Sequence, residues 1–566
     1  MNLHAALQYA LFVLLLTALV RPLGGYLERV FSGQPTWLDP LCGPVERLLY
    51  RLCRVDPASE MTAGEYSTAF LMFGAVGILV MYLLLRVQHW LPFFFPQHMT
   101  TAMTPALAWN TATSFATTTT WQAYGGESTM SYAAQMVGLA AQNFLAGAAG
   151  LAAGIAFIRG FAREKSATLG NFWVDLARAL LWVLLPASIL VSGLMVSQGV
   201  PMNWNAYAVA QTLEHGSQLI PQGPVAALEA IKNLGTNGGG FFNANGAHPF
   251  ETPTPLANLI AMLAIAALPA ALTNTFGRMV RQPRQGWLLF GVMLGLLVAG
   301  FWICGQAEGA GNPLFHNLDQ RAGNMEGKEV RFGVPGSALA AVVTSNLATG
   351  STNAMHDSFT PVGGMVPLVN MMLGEVIFGG LGTGIYCMVL VALIAVFLTG
   401  LMIGRTPEYL GKRLGPTEQK LIMLYTLAGH TFVLAFAAVA VATRAGLAGL
   451  ATNSGAHGLT EILYAYVSCV ANNGQSFAGL HANSLFYHLT TGAAMLVGRF
   501  ALAIPALALA GRFAGQGRAV MHVGTLRTDT PAFGVVLAIS VCLLGGLCYF
   551  PALSLGPLLE RALLLR

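Results

Sequence analysis

Charge is what this sequence has least of. Only 9% of its 566 residues are Asp, Glu, Lys or Arg, where a soluble domain carries about 25%. With 55% hydrophobic residues, that scarcity excludes a water-soluble enzyme and leaves a polytopic membrane protein. Cysteine pairs are missing too. Cys42, Cys53, Cys304, Cys387, Cys469, Cys542 and Cys548 contain no CxxC, so neither a disulfide framework nor a cysteine zinc site is implied. There is no GxxxxGK[ST] loop and no DKTG sequence, so the chain holds no nucleotide in the Walker manner and carries no phosphorylation aspartate of that type. His356, Asp357 and Glu375 come with no metal cluster and no nucleophile beside a positioned base, which argues against a membrane enzyme. No organic cofactor and no catalytic residue is implied. The net charge of +5 gathers in a few loops, where topology explains it better than nucleic acid does.

What the chain does have is glycine, threonine and asparagine in unusual places. Asn233-Leu234-Gly235-Thr236-Asn237-Gly238-Gly239-Gly240-Phe241-Phe242 follows an apolar run, Ala226 to Leu234, too short to span a bilayer, which takes about 20 residues. Three consecutive glycines do not hold a membrane helix together, and backbone freed at that depth is tolerated only where it is buried in protein or lines a wet cavity. The design recurs three times. Trp109 to Ala116 leads into Thr117-Thr118-Thr119-Thr120-Trp121-Gln122, Leu339 to Leu347 into Ala348-Thr349-Gly350-Ser351-Thr352-Asn353, and Ile462 to Val470 into Ala471-Asn472-Asn473-Gly474-Gln475-Ser476. With Thr119, Gly238, Gly350 and Gly474 in one column, the copies are spaced by roughly 110 to 125 residues, the length of a structural module. Taken singly, small residues also permit close helix packing. A fourfold recurrence, each time after a short apolar helix, favours four loops that meet in one ring.

The remaining apolar runs place ten spans. Residues Gln8 to Val20 read as a first span rather than a removable signal, since nothing basic precedes them. Arg21, Arg29, Arg47, Arg51 and Arg54 follow, and basic residues mark each of the five loops that the positive-inside rule puts in the cytoplasm. Both termini are then expected outside, and all four loops enter from outside. The expected fold is all-α: ten transmembrane helices with four pseudo-symmetric helix/pore-loop/helix repeats around one pore. Residues 1–60 hold the first span and its basic loop, residues 61–165, 166–285, 286–420 and 421–527 the four repeats, and residues 528–566 the last span. The third repeat ends in a stretch, about Gly363 to Ile403, that glycines break. The polar segment between Gly305 and Val334 fits either a vestibule that gathers cations or a solvated loop of mixed charge.

A bare cation is costly to bring into a low-dielectric medium unless fixed oxygens replace its water. Backbone carbonyls and Thr, Ser or Asn side chains supply such oxygens. None of the four core stretches contains a carboxylate, which disfavours calcium or magnesium and favours a weakly hydrated monovalent ion, potassium above all. The short helices would also aim their partially negative C-terminal ends inward.

Family resemblance rests on NLGTNGGGFFNAN (Asn233 to Asn245), TTTTWQAYGGEST (Thr117 to Thr129), NAMHDSFTPVGGMVP (Asn353 to Pro367), GRTPEYLGK (Gly404 to Lys412), ANNGQSFAGL (Ala471 to Leu480) and VGRF (Val497 to Phe500). Together they resemble KdpA, the potassium-binding subunit family of the Kdp potassium-transporting ATPase of bacteria and archaea, itself similar to the Trk and Ktr transporters. The resemblance implies that oxygens of Thr118, Thr119, Thr236, Asn237, Thr349, Gly350, Asn472 and Asn473 bind K+, with Gly238 and Gly474 shaping the filter. It implies a non-catalytic subunit of a high-affinity uptake complex in the bacterial inner membrane. The partners would be a P-type ATPase catalytic subunit, KdpB, and accessory subunits KdpC and KdpF, and the ion would move sideways to the ATPase. The alternative is an independent K+ channel or secondary K+ transporter with the same filter.

Ionisable residues inside a membrane are functional candidates. Glu375 lies in the glycine-broken stretch past the third loop, and Arg499 in the helix after the fourth. They are expected to pair beneath the filter as a gate against leak. His356-Asp357 is expected to order a loop, because adjacent residues seldom face one substrate. Arg405, in GRTPEYLGK, is a candidate contact for the ATPase partner.

Overall fold

The computed structural model of the chain describes residues 3–90, 99–315, 317–402, 404, 407–519 and 527–565. Among these, ten helices are long and apolar enough to cross a membrane: Leu3–Phe31, Ala63–Trp90, Ala134–Ala162, Phe172–Ser197, Pro255–Met279, Pro283–Phe315, Thr383–Met402, Pro416–Ala442, Leu485–Gly515 and Pro531–Leu555. Their order matches the ten spans read from hydropathy. The seventh is shorter than the run from Gly363 to Ile403. A separate helix, Pro361–Met372, stops before it, and Gly374, Glu375, Phe378, Gly379 and Gly382 of the connecting segment all have positive φ. A helix cannot propagate through that hand.

Four shorter helices stand apart from the spans: Pro105–Ala116, Val225–Leu234, Gly333–Asn346 and Gly455–Val470. Each ends where one of the four polar stretches begins. The first starts cleanly because the Thr104 hydroxyl accepts from the amide of Leu107 and Pro105 needs no partner for the N–H it lacks. All four are buried along most of their length.

Burial sorts the spans into two shells. In the apolar stretch of Ala134–Ala162, 83% of residues are buried, and in Pro255–Met279 78%; in Pro416–Ala442 only 17% are, and in Leu3–Phe31 28%. The former pair lies within the protein, and the latter pair presents apolar side chains outward, as lipid-facing helices do. The inner helices owe their close approach to runs such as Ala146-Gly147-Ala148-Ala149-Gly150.

One side of the bundle is tied together by charge. Lys412 Nζ, in the GRTPEYLGK segment, donates to the carbonyls of Arg163 at 2.7 Å, Phe513 at 2.8 Å and Gln516 at 2.9 Å, gathering three segments read as lying on one side. Arg159 and Asp175 form a buried pair at 2.5 Å, with the Tyr66 hydroxyl donating to the same carboxylate at 3.0 Å.

Candidate cation site

The four polar stretches share one backbone arrangement. The amide of Thr119 donates to the carbonyl of Ser114 at 3.0 Å, Asn237 to Lys232 at 2.8 Å, Thr349 to Thr344 at 3.1 Å and Asn473 to Ser468 at 2.9 Å. In every case a loop amide reaches back five residues into the short helix before it. The residues on either side of that amide have left-handed φ: Thr118 and Thr120, Thr236 and Gly238, Ala348 and Gly350, Asn472 and Gly474. Alternating hand sends successive N–H groups to one side of the strand and carbonyls to the other. With the amides directed back to the helices, the carbonyls are left for the opposite side. No backbone N–H among the described residues reaches the carbonyls of Thr118, Thr236, Ala348 or Asn472.

The loops close on one another in cyclic order. The Thr120 hydroxyl of the first loop donates to the Asn237 carbonyl of the second. A β-carbon on Gly238 would fall 1.4 Å from the Thr349 carbonyl oxygen of the third loop. One on Gly350 would fall 2.2 Å from that of Asn473 in the fourth, and one on Gly474 1.8 Å from that of Thr119 in the first. First meets second, second third, third fourth, and fourth first. These contacts correct the column drawn from the sequence: the counterpart of Gly238, Gly350 and Gly474 is Thr120, not Thr119, because Thr120 has the matching positive φ.

Most side chains named from the sequence serve the scaffold. Thr119 Oγ1 lies 2.8 Å from Thr117 Oγ1 and accepts from Asn472 Nδ2 at 2.8 Å. Asn473 Nδ2 donates to the Thr344 carbonyl at 2.9 Å, and Thr349 Oγ1 to the Leu347 carbonyl at 2.9 Å. Thr118 and Thr236 turn their hydroxyls to the preceding carbonyls. Asn237 is the exception, the Nδ2 and Oδ1 of its buried side chain having no hydrogen-bond partner among the described residues. The oxygens left for a cation are therefore chiefly main-chain carbonyls, packed at the negative ends of four helices.

Sequence reasoning passed over the residues that hold the loops in place. Gln122 accepts from the Gly240 amide at 2.8 Å and donates to the Gly240 carbonyl at 3.0 Å. Lys232, fully buried, donates to the Gly239 carbonyl at 2.8 Å and to Glu251 at 2.6 Å, and pairs with Glu229. Glu251 in turn accepts from the Phe242 amide at 2.8 Å. Gln475 reaches Thr344 at 2.6 Å. Glu229 and Lys232, three residues apart in a short hydrophobic run, were a signal, since such charges stay buried only when paired.

The profile of a family described as "Potassium-transporting ATPase A subunit", KdpA, matches residues 10–562. The chain belongs to the KdpA family. It is 50% identical over 564 residues to the "Potassium-transporting ATPase potassium-binding subunit" of Solibacter usitatus, covering 100% of this chain and 99% of that one. A protein of the same name from Methylorubrum extorquens is 51% identical over 561 residues, covering 99% and 98%. Among solved structures, the potassium transporter TrkH from Vibrio parahaemolyticus shares the fold with a TM-score of 0.51 at 13% identity, over 86% of this chain and 96% of that one.

Beneath the ring of this KdpA chain lies a small cavity lined by Thr118, Thr236, Ala348, Glu375, Thr383 and Arg499. The irregular segment after Met372 forms its floor, fixed where the Leu381 amide donates to Thr236 Oγ1 at 2.7 Å. Glu375 and Arg499 share this cavity, but they do not form the direct pair expected. Glu375 accepts from the Gly380 amide at 3.1 Å and from the Thr383 hydroxyl, and Arg499 donates to the Ala146 carbonyl at 2.8 Å. A π-helical turn, Val497–Ala501, re-aims Arg499 within its span. A second, larger cavity shares Glu375, Thr383 and Arg499 and continues between Tyr386, Tyr425 and His430. Arg405 lies outside the described residues.

Around the mouth, His356 and Asp357 part company. His356 is buried with Nδ1 2.7 Å from the Tyr464 hydroxyl, and burial, with Lys328 nearby, pushes its imidazole down to about 3. Asp357 turns to His457 instead. The polar segment from Gly305 to Val334 is not simply solvated: Glu308 and Lys328 pair at 2.7 Å, fully buried. Glu308 also accepts from the Thr360 amide at 2.8 Å, anchoring the chain just past the third loop. Asp319 and Arg321 remain exposed.

Proposed function

We propose that this chain is the potassium-binding and translocating subunit of an ATP-driven uptake complex. K+ enters from outside into the four-loop ring and passes sideways to a P-type ATPase subunit. The observation that carries this reading is the cyclic closure of four loops whose amides point back to their own helices, leaving carbonyls for an ion. Carbonyls without a carboxylate suit a weakly hydrated monovalent cation. The names of the relatives agree with that ion and with an ATPase. The filter in this reading comprises Thr118, Thr119, Thr236, Asn237, Gly238, Thr349, Gly350, Asn472, Asn473 and Gly474, with Thr120 added. Glu375 and Arg499 form the gate below it, and the larger cavity beside them is the lateral exit.

The partners in this proposal are KdpB as the catalytic subunit, with KdpC and KdpF, and Arg405 as a partner contact. The complex sits in the inner membrane with both termini of this chain outside. Its four repeats follow the boundaries 61–165, 166–285, 286–420 and 421–527.

Rubidium tracer in proteoliposomes tests the proposal. The chain alone, without ATP, is expected to bind Rb+ in competition with K+ and to pass no sustained flux; adding the ATPase subunits and ATP starts uptake. Sustained passive flux through the chain alone overturns the subunit reading and makes it a channel or secondary transporter. Absence of K+-displaceable binding overturns the ring as an ion site.

A further inference from the structure

Three parts of the chain that are remote in sequence meet at the rim of the ring. Asp357 follows the third loop, His457 and Glu461 lie one turn apart on the helix before the fourth loop, and Glu560 belongs to the helix Pro557–Leu564 near the C-terminus. His457 Nε2 lies 2.7 Å from Asp357 and Nδ1 2.9 Å from Glu560. Ligand atoms of Asp357, His457 and Glu461 all fall within 4.8 Å of one another. Glu461 is fully buried, and its Oε1 accepts from Asn453 at 2.8 Å. Its Oε2 accepts from no nitrogen or hydroxyl donor among the described residues and lies beside the Asp357 carboxylate. A buried carboxylate oxygen without a donor, beside a second carboxylate and an imidazole, offers a donor set that suits a cation.

We propose that Asp357, His457 and Glu461 form a site for one divalent transition-metal ion of the zinc class. One imidazole nitrogen and two carboxylate oxygens suit such an ion better than calcium or magnesium, which take oxygen ligands only. Glu560 completes the arrangement from behind. It accepts from Nδ1, the position from which a carboxylate orients a histidine whose other nitrogen binds metal. In the metal-free cluster both imidazole nitrogens face acceptors, so His457 carries two N–H groups. Metal bound at Nε2 takes the place of one proton, which leaves to solvent. The Asp357–His457 distance then opens by roughly 0.6–0.9 Å, since ligands at about 2.0–2.2 Å from a tetrahedral ion stand farther apart than a hydrogen-bonded pair. His457 and Asp357 are each about one-fifth exposed, which gives the ion a way in. The bound ion would join the third loop, the fourth short helix and the C-terminal helix at one point, without touching the ring carbonyls.

Equilibrium dialysis of the chelator-stripped, full-length chain in detergent against Zn2+ tests this. Wild type is expected to bind one Zn2+ per chain. His457→Gln and Glu461→Gln weaken binding at least 100-fold, and Glu560→Gln about 10-fold, within the range for partners behind a ligand. Because those variants could misfold, Co2+ is added to wild type in parallel. The strong visible absorption of a tetrahedral nitrogen/oxygen site is expected, and it disappears on adding Zn2+. No bound Zn2+ in wild type, a Co2+ spectrum of the fully hydrated ion, or unchanged binding in folded His457→Gln overturns the site. Zn2+ binding that moves instead with the exposed cysteines Cys53 and Cys542 also overturns it.

Discussion

The hydroxyl of Thr120 donates to the main-chain carbonyl of Asn237, and this bond joins the first loop of the ring to the second. At the other three junctions a glycine lies against the neighbouring carbonyl. Thr120→Ala removes the bond but keeps a β-carbon at φ 51°, where a non-glycine residue costs about 1–2 kcal/mol. Thr120→Gly removes the bond and relieves that cost. Competition of K+ against Rb+ binding is expected to weaken by about 10-fold in Thr120→Ala, equivalent to about 1.4 kcal/mol, and by less in Thr120→Gly. Equal affinity in all three proteins would mean that the bond does not help to set the ring.

Gly238 faces the Thr349 carbonyl with no room for a β-carbon. Since the obstacle is main chain, neither side can turn away. Gly238→Ala and Gly238→Asp should both insert normally and lose K+ affinity by 100-fold or more. Gly291→Ala, at a position with nothing within 4 Å of the added carbon, should change nothing. A Gly238→Ala protein with ordinary affinity removes this stretch from the filter.

The floor under the ring depends on Glu375 bonding across its own irregular segment to Gly380 and Thr383. Thr383→Val removes one of these bonds, and Glu375→Gln exchanges a charge-assisted acceptor for a neutral one. ATP-independent Rb+ efflux from loaded proteoliposomes is expected to rise severalfold in Thr383→Val and less in Glu375→Gln. If these two variants and Arg499→Gln all retain wild-type leak and affinity, there is no gate at this level.

Away from the ring, the buried pair of Arg159 and Asp175 offers a test of stability alone. Asp175→Asn leaves a buried guanidinium uncompensated and should cost about 3–5 kcal/mol, whereas replacing both partners with apolar residues should cost much less. Thermal unfolding in detergent reads this directly. A double variant Arg159→Met/Asp175→Leu as unstable as Asp175→Asn would falsify the pair account.

The ten spans and the four loops were legible because membrane depth restricts what backbone can do: a short apolar run followed by glycine or threonine has few places to go. The order of the ring was not legible, and the choice between main-chain carbonyls and side-chain oxygens stayed open. Thr118, Thr236, Ala348 and Asn472 are three different residue types, yet all take the same left-handed φ, and the hand of a residue decides where its carbonyl points. The threonine run of the first loop offered no glycine to fix the register, which is why the column fell one residue short. Glu375 and Arg499 were expected to pair beneath the filter because both are charges in apolar surroundings; they share a cavity there without pairing. Their bonding partners depended on a π turn and an interrupted helix that hydropathy does not encode. Lys232 and Glu251 stand 19 residues apart, with nothing in the intervening sequence to announce their contact.

The four quadrants of the ring come from four different segments of one polypeptide, and each closes on the next with its own chemistry: a hydroxyl once, a glycine three times. A ring of identical subunits receives every substitution four times over, and every opening in its wall is repeated. Here a substitution lands in one quadrant, so the grip on an ion can be adjusted in single steps. A passage could likewise leave on one flank only, and the cavity beside Glu375 and Tyr425 lies where the proposed exit would need it. Unequal quarters give this ring a front and a back.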